Sequence, residues 1–343
     1  MTNAEQTAGG VADAVPGDWT AKLPAPIRPY AQLARWDRPI GWWLLLWPCW
    51  WSVGLALNAW IVPASDLGPS AFDDLYTEGG LRAATAGAWT ASAALLALFW
   101  VGAVAMRGAG CTWNDITDRH LDAGVARTRS RPLPTGRVTV RGAFAFLAVQ
   151  LLVGLAVLLS VGFVGSLNAI WLGFLSVPIV VAYPFAKRIT NWPQIVLGLA
   201  FSWGALMGWM ALFGSLSAAP FLLYAGCVAW TVGYDTIYAH QDREDDALMG
   251  IRSTARLFNQ RTKPALVLIY AIALVLFAAA FWTADVHPFA WIGLALAGLH
   301  MARQIARLDI NDASQCLALF RSNSQIGWLI FAGLIAGAVA ASF

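Results

Sequence analysis

The sequence predicts an all-α, polytopic membrane protein whose nine transmembrane helices bundle around a cytoplasm-facing cavity. Three observations carry that reading. Of the 343 residues, 59% are hydrophobic and only 12% are charged, with a mean hydropathy of +0.60, a balance that no water-soluble domain of this size sustains. The charges collect between long uncharged runs instead of being spread along the chain. Once those runs are counted as spans, nearly all of the basic residues fall on one side.

A helix that crosses a bilayer needs roughly 20 apolar residues. Runs 40–62 and 83–106 supply the first two helices. Runs 142–186 and 189–234 are 45 and 46 residues long, so each must hold two spans and break once. The Gly-, Ser- and Ala-rich stretches 162–168 and 214–219 are the expected turns. Run 264–284 is the seventh helix, 288–302 extended to 305 the eighth, and 322–343 the ninth. With the N-terminus in the cytoplasm, the inner segments hold four, seven, two, five and three Lys or Arg, which is 21 of 22, and only Arg82 lies outside. The positive-inside rule then places the N-terminus inside and the C-terminus outside, as for a multi-pass protein of a bacterial inner membrane. The formal charge of +3 reflects these loops facing anionic lipid or anionic substrate and is no signal for nucleic acid.

Residues 1–29 read as a disordered cytoplasmic tail without a signal-peptide core, and 30–343 as one membrane domain. That domain divides into four-helix halves, about 40–188 and 189–305, followed by the last helix, 322–343. The acidic connector 63–82 reads as solvated. Cys49, Cys111, Cys227 and Cys316 show no paired spacing and read as small core residues. The Trp-rich stretch 42–51 reads as packing and interfacial anchoring, although aromatic faces lining a cavity can also stabilise a cation.

Two acidic clusters end long uncharged runs. In WNDITDRHLD, Asn114, Asp118 and Asp122 recur every fourth residue, and in HQDREDD so do Asp242 and Asp246. Such spacing stacks side chains on one helix face. Carboxylates at a membrane helix end are costly to desolvate and need positive charge, and a hard divalent cation such as Mg²⁺ carrying a phosphate suits them. Arg107 shares the face of the first ladder, two turns deeper, and Asp235 shares the face of the second. The competing reading of the ladders is a solvated helix end with local Asp–Arg pairs, and Asp115 and Arg119 are assigned to that role. In YPFAKR, Tyr183 and Lys187 lie four apart at the end of the fourth helix, either as a snorkelling topogenic pair or as a diphosphate or carboxylate site. Arg38 at the start of the first helix is open to the same two readings.

The motifs GCTWNDITDRHLDAGVARTRSRPLPTG, YPFAKR and YDTIYAHQDREDD resemble the UbiA superfamily of intramembrane prenyltransferases. Within it, the RWDRPIGWWLLLWPCWW and CLALFRSNSQIGW segments are similar to the 4-hydroxybenzoate polyprenyltransferase subgroup. The resemblance covers roughly 30–343. It implies a Mg²⁺-dependent enzyme that moves a prenyl group from a polyprenyl diphosphate to 4-hydroxybenzoate at the membrane, in ubiquinone synthesis. The metal ligands implied are Asn114, Asp118, Asp122, Asp242 and Asp246, with Asp118 and Asp242 catalytic. Diphosphate binding falls to Arg107, Lys187 and Tyr183, and acceptor binding to Arg188 or Arg38. The alternatives are a member of the superfamily with another acceptor (a naphthoate, homogentisate, haem or chlorophyllide) and a membrane transporter with intramembrane acidic sites.

Overall fold

A computed structural model describes residues 19–66, 78–122, 124, 128–243, 250 and 252–342, with backbone alone for 63–66, 78–84, 121 and 242. Among the described residues every regular element is helical. The helices are α1 (Arg28–Leu33), α2 (Ile40–Asp66), α3 (Glu78–Asp122), α4 (Val140–Val164), α5 (Asn168–Leu175), α6 (Val177–Ile189) and α7 (Pro193–Phe201). They continue as α8 (Gly204–Phe213), α9 (Ala218–Ala239), α10 (Thr254–Phe258), α11 (Thr262–Thr283), α12 (Pro288–Arg307), α13 (Ala313–Arg321) and α14 (Asn323–Ala341). Seven segments among them are long and apolar enough to cross a membrane. α9 and α12, of 22 and 20 residues, have the length but fall outside that set of seven.

The turns form where Gly, Ser and Pro place them. α4 gives way to α5 at 165–167, and α8 ends on Gly214 in the left-handed conformation (φ 72°), which lets its N–H close on Met210 O. Each double-length run also bends a second time, which the uncharged stretch conceals. Between α5 and α6, Ser176 Oγ bonds back to Gly173 O at 2.7 Å while Pro178 can donate nothing to the ladder, so the span kinks there. Asp312 caps α13 by accepting from Gln315 N at 3.0 Å.

α3 sets the position of the first acidic ladder. Its 45 residues span about 68 Å, more than twice a ~30 Å hydrocarbon layer. The helix therefore runs on past the apolar stretch, and Asn114–Asp122 occupies its final turns. The connector expected over 63–82 is shortened by helix at both ends, and 67–77 lie outside the described residues.

The helices form two compact units. The first contains the residues up to 42 together with 101–157. Its core joins Leu33, Ile116, Leu133, Val138 and Ala143, with Tyr30 against Phe146 at 5.3 Å. The tail expected to be disordered over 1–29 is ordered from Trp19, which stacks on Trp36 at 6.1 Å, and 1–18 lie outside the described residues.

The second unit contains 43–100 and 158–343. In it α9 packs on α11 and α12 on α14. The α12–α14 crossing is close because it is built on two glycines, and a Cβ on Gly333 would come 2.9 Å from Gly293 Cα. The Trp-rich stretch is a packing device. Trp43 stacks on Trp47 at 4.9 Å, Trp47 meets Trp328 at 4.9 Å, and Trp51 Nε1 donates to Gly327 O at 3.0 Å. Leu152 on α4, in the first unit, and Val275 on α11, in the second, are exposed, as lipid-facing positions are. The four cysteines are free thiols.

Candidate active site

In the first unit α3 carries Arg107, Asn114, Asp118 and Asp122 on one face, as their spacing predicts. Asn114 is half-buried, whereas Asp118 and Asp122 are buried at 1% and 7% exposure. The helix end is fastened to the following loop by Thr128 Oγ1, which donates to Asp122 O at 2.9 Å. Arg107 lies against the first turn of α2, where a Cβ on Gly41 would sit 2.5 Å from its Nε.

Asp115 corrects the sequence reading. It was expected to be a solvated partner of Arg119, but it is fully buried at 0% exposure. Arg119 donates to Ile116 O at 3.0 Å. Arg35 Nη2 grips both carboxylate oxygens of Asp115, at 2.7 and 2.8 Å, while its Nη1 donates to Gln32 O at 2.8 Å. Arg131 Nη1 then bridges Asp115 Oδ1 at 3.2 Å and Asp122 Oδ2 at 2.8 Å. Local helix spacing concealed this because Arg35 and Arg131 approach from other segments. The signal available in the sequence was three carboxylates within eight residues, more charge than one helix end buries without dedicated cations.

Electrostatics follows from that burial. Desolvation works against the Arg35 charge, but Asp115, the strongest of the opposing groups, holds its pKa above the ordinary guanidinium value. Burial also raises the Asp122 pKa, with Arg131 pulling it back down and Asp115 adding to the rise. Arg38, a candidate for the acceptor, stands with its Nε 3.4 Å from Asp37 Oδ2.

In the second unit α6 ends in Tyr183, Lys187 and Arg188. The first two are half-buried, and Arg188 is exposed with its guanidinium 5.7 Å from the Phe185 ring centre. The segment after the second acidic motif closes on this end. Arg252 N donates to Lys187 O at 3.1 Å and its Nη1 to Ile189 O at 2.7 Å. Thr254 N donates to Gln194 Oε1 on α7 at 3.2 Å, and the hydroxyls of Thr254 and Thr236 share a 2.6 Å bond. At His240–Asp242, after α9, the backbone tightens to a 3₁₀ turn, and Arg243 after it is again helical. Asp235 is half-buried, Asp242 is described by its backbone alone, and Asp246 lies outside the described residues. His240 Nε2 lies 3.0 Å from Thr262 Oγ1, and burial, assisted by Arg243, lowers its pKa to about 4.

Among the described residues no group of three His, Cys, Asp or Glu converges into a metal centre. The donors on α3 are amide and carboxylate oxygens, hard ligands that fit Mg²⁺ by their chemistry.

Comparison with known proteins adds three findings. The chain is 41% identical over 323 residues to a mitochondrial 4-hydroxybenzoate polyprenyltransferase of Drosophila pseudoobscura, covering 94% of this chain and 73% of that one. It is 42% identical over 320 residues to the mitochondrial enzyme of the same name from Rattus norvegicus, covering 92% and 76%. Its fold matches that of a UbiA homolog from Archaeoglobus fulgidus bound to GPP and Mg²⁺, with a TM-score of 0.57, 19% identity, and coverage of 91% and 99%. These relatives are mitochondrial enzymes, which overturns the expectation of a bacterial inner membrane. Charge placement could not make that distinction, because basic loops report sidedness and not which membrane is crossed. Residues 79–340 match the UbiA prenyltransferase family, and with that match and these relatives the chain belongs to the UbiA prenyltransferase family.

Proposed function

We propose that the chain transfers a polyprenyl group from a polyprenyl diphosphate to the ring carbon ortho to the hydroxyl of 4-hydroxybenzoate, releasing diphosphate, in ubiquinone biosynthesis. The observation that carries this reading is 41% identity to an enzyme of that activity along 94% of the chain. It is supported by the buried oxygen ladder on α3, which suits a metal–diphosphate headgroup. On this reading the bundle has nine spans, α9 and α12 being the two less apolar ones, and its cavity opens on the side of the basic loops. Residues 30–343 form one enzyme domain built of the halves 40–188 and 189–305 and the last helix.

Asn114, Asp118 and Asp122, with Asp242 and Asp246, would hold Mg²⁺, which when bound supplies charge neutralisation for the leaving diphosphate. Arg107 and Lys187 donate to the diphosphate oxygens, with Tyr183 beside Lys187, and stabilise the charge that grows as the C–O bond breaks. The allylic carbon is then attacked by the electron-rich ring carbon of the acceptor. Asp242, or a water that it orients, takes the ring proton and rearomatises the product. Arg188 pairs with the acceptor carboxylate in a bidentate contact, Arg38 being the second candidate. The prenyl tail remains among apolar side chains and membrane lipid.

The test uses purified protein, Mg²⁺, 4-hydroxybenzoate and a series of polyprenyl diphosphates, with products identified by mass. A 3-polyprenyl-4-hydroxybenzoate formed only when Mg²⁺ is present is the expected result. Turnover of another aromatic acceptor, with none of 4-hydroxybenzoate, would overturn the reading.

A further inference from the structure

The cations around the first acidic ladder form an ordered relay, and the reaction steps above do not use it. Arg35 is committed to Asp115 through two short bonds, 2.7 and 2.8 Å, from a single nitrogen. It holds that place from a left-handed backbone position, φ 60°, which is strained for a non-glycine residue. Arg131 reaches the same carboxylate more loosely, at 3.2 Å, and makes its shorter bond, 2.8 Å, to Asp122 Oδ2. Asp115 thus anchors Arg131, and Arg131 in turn holds Asp122. Asp122 Oδ2 is thus the oxygen that Arg131 fixes.

We propose that Arg131 is a positioning residue for the reaction: anchored on Asp115, it holds Asp122 Oδ2 and so presents Oδ1 to the divalent cation. The inference rests on the assignment of Asp122 as a metal ligand. Its physical basis is general. A ligating carboxylate whose second oxygen is hydrogen-bonded is fixed in rotamer before the metal arrives, and the loss of such an outer partner typically costs roughly 10- to 100-fold in metal affinity. Simple electrostatics makes the opposite prediction. If Arg131 were only a nearby positive charge, it would repel Mg²⁺, and its removal would tighten binding.

The experiment measures Mg²⁺ affinity directly, by calorimetry on purified full-length protein in detergent with inorganic pyrophosphate present. The proteins compared are wild type, Arg131→Gln, Arg131→Lys and Asp118→Asn. Positioning predicts that both Arg131 variants bind Mg²⁺ roughly tenfold or more weakly. Lysine keeps the charge, but its ammonium ends nearer the backbone than the guanidinium nitrogen Nη1 that makes both bonds, so it cannot bridge the two carboxylates from the same place. Positioning also predicts that raised Mg²⁺ restores kcat in both variants, which a merely misfolded protein would not show. Unchanged or tighter binding in Arg131→Gln overturns the inference. If that variant fails to fold, wild-type affinity in Arg131→Lys overturns it. Undiminished affinity in Asp118→Asn instead defeats the metal assignment of the ladder itself, which separates the two failures.

Discussion

Removing the Arg35 guanidinium is the sharpest test of how the first unit holds together. Asp115 is fully buried and, among the described residues, takes three hydrogen bonds, of which Arg35 supplies the two shortest. In Arg35→Ala the 3.2 Å bond from Arg131 is the one of these three that remains, on a carboxylate that water cannot reach. Breaking a buried ion pair from one side costs about 3–5 kcal/mol, because the stranded charge keeps its desolvation penalty. For a chain of this size that corresponds to a melting shift of roughly 4–7 °C, read by thermal denaturation in detergent. Two companion variants identify the cause. Arg35→Gly loses the same bonds but relieves the strain at φ 60°, worth about 1 kcal/mol, so it should melt about 1–2 °C above Arg35→Ala. The double replacement Arg35→Met with Asp115→Leu removes both charges together and should recover most of the loss. A shift under about 2 °C for Arg35→Ala, or a double variant no better than the single one, would refute the argument that Asp115 depends on Arg35.

Asp118→Ala and Asp242→Ala should each abolish turnover in protein that still melts cooperatively, and substantial activity at saturating Mg²⁺ would remove them from the metal site. Gly41→Ala should push Arg107 aside, since the new Cβ would stand 2.5 Å from Nε, while alanine itself favours the helix. The expected result is a KM for polyprenyl diphosphate raised roughly tenfold with an unchanged melting temperature, by loss of a charged hydrogen bond, and unchanged kinetics would exclude Arg107 from the diphosphate site. Arg188→Lys keeps charge and loses the fork, so KM for 4-hydroxybenzoate should rise about tenfold or more and exceed any change in KM for the donor; a change confined to the donor would assign Arg188 to phosphate. Asp312 has its pKa held below the ordinary carboxylate value by the Ser314 hydroxyl and the Gln315 N–H. Its contribution is therefore complete above about pH 4 and is lost as pH falls through the lower, folded-state value. Asp312→Asn keeps the capping acceptor and should flatten this acid limb in thermal scans, and an identical pH profile would show that the cap is not what titrates.

What the sequence disclosed, and what it concealed, divides by the range of the interaction. Asn114, Asp118 and Asp122 were legible because a helix repeats every 3.6 residues and four-residue spacing needs no knowledge of the tertiary fold. The turns at 165–167 and Gly214 were legible for a similar reason, since Gly and Ser act locally on the backbone. The bend at Ser176 was not, because a kink inside an apolar run leaves hydropathy unchanged. The 3₁₀ turn at His240–Asp242 was hidden likewise, since spacing alone cannot tell a regular helix from one that tightens for a turn.

Asp115 is the instructive error. It sits seven residues before Asp122 on the same side of α3, where one nitrogen of Arg131 bridges the two carboxylates, and on an isolated helix it would face water. Burial at 0% comes instead from α1 and the loop after α3, which bring Arg35 from 80 residues before it and Arg131 from 16 residues after it. A buried acid flanked by metal-spaced acids therefore reads better as the support of the site than as a solvated neighbour. The sequence sign of that support is a surplus of arginine in the adjoining segments, here Arg35 before the first span and Arg131 after α3.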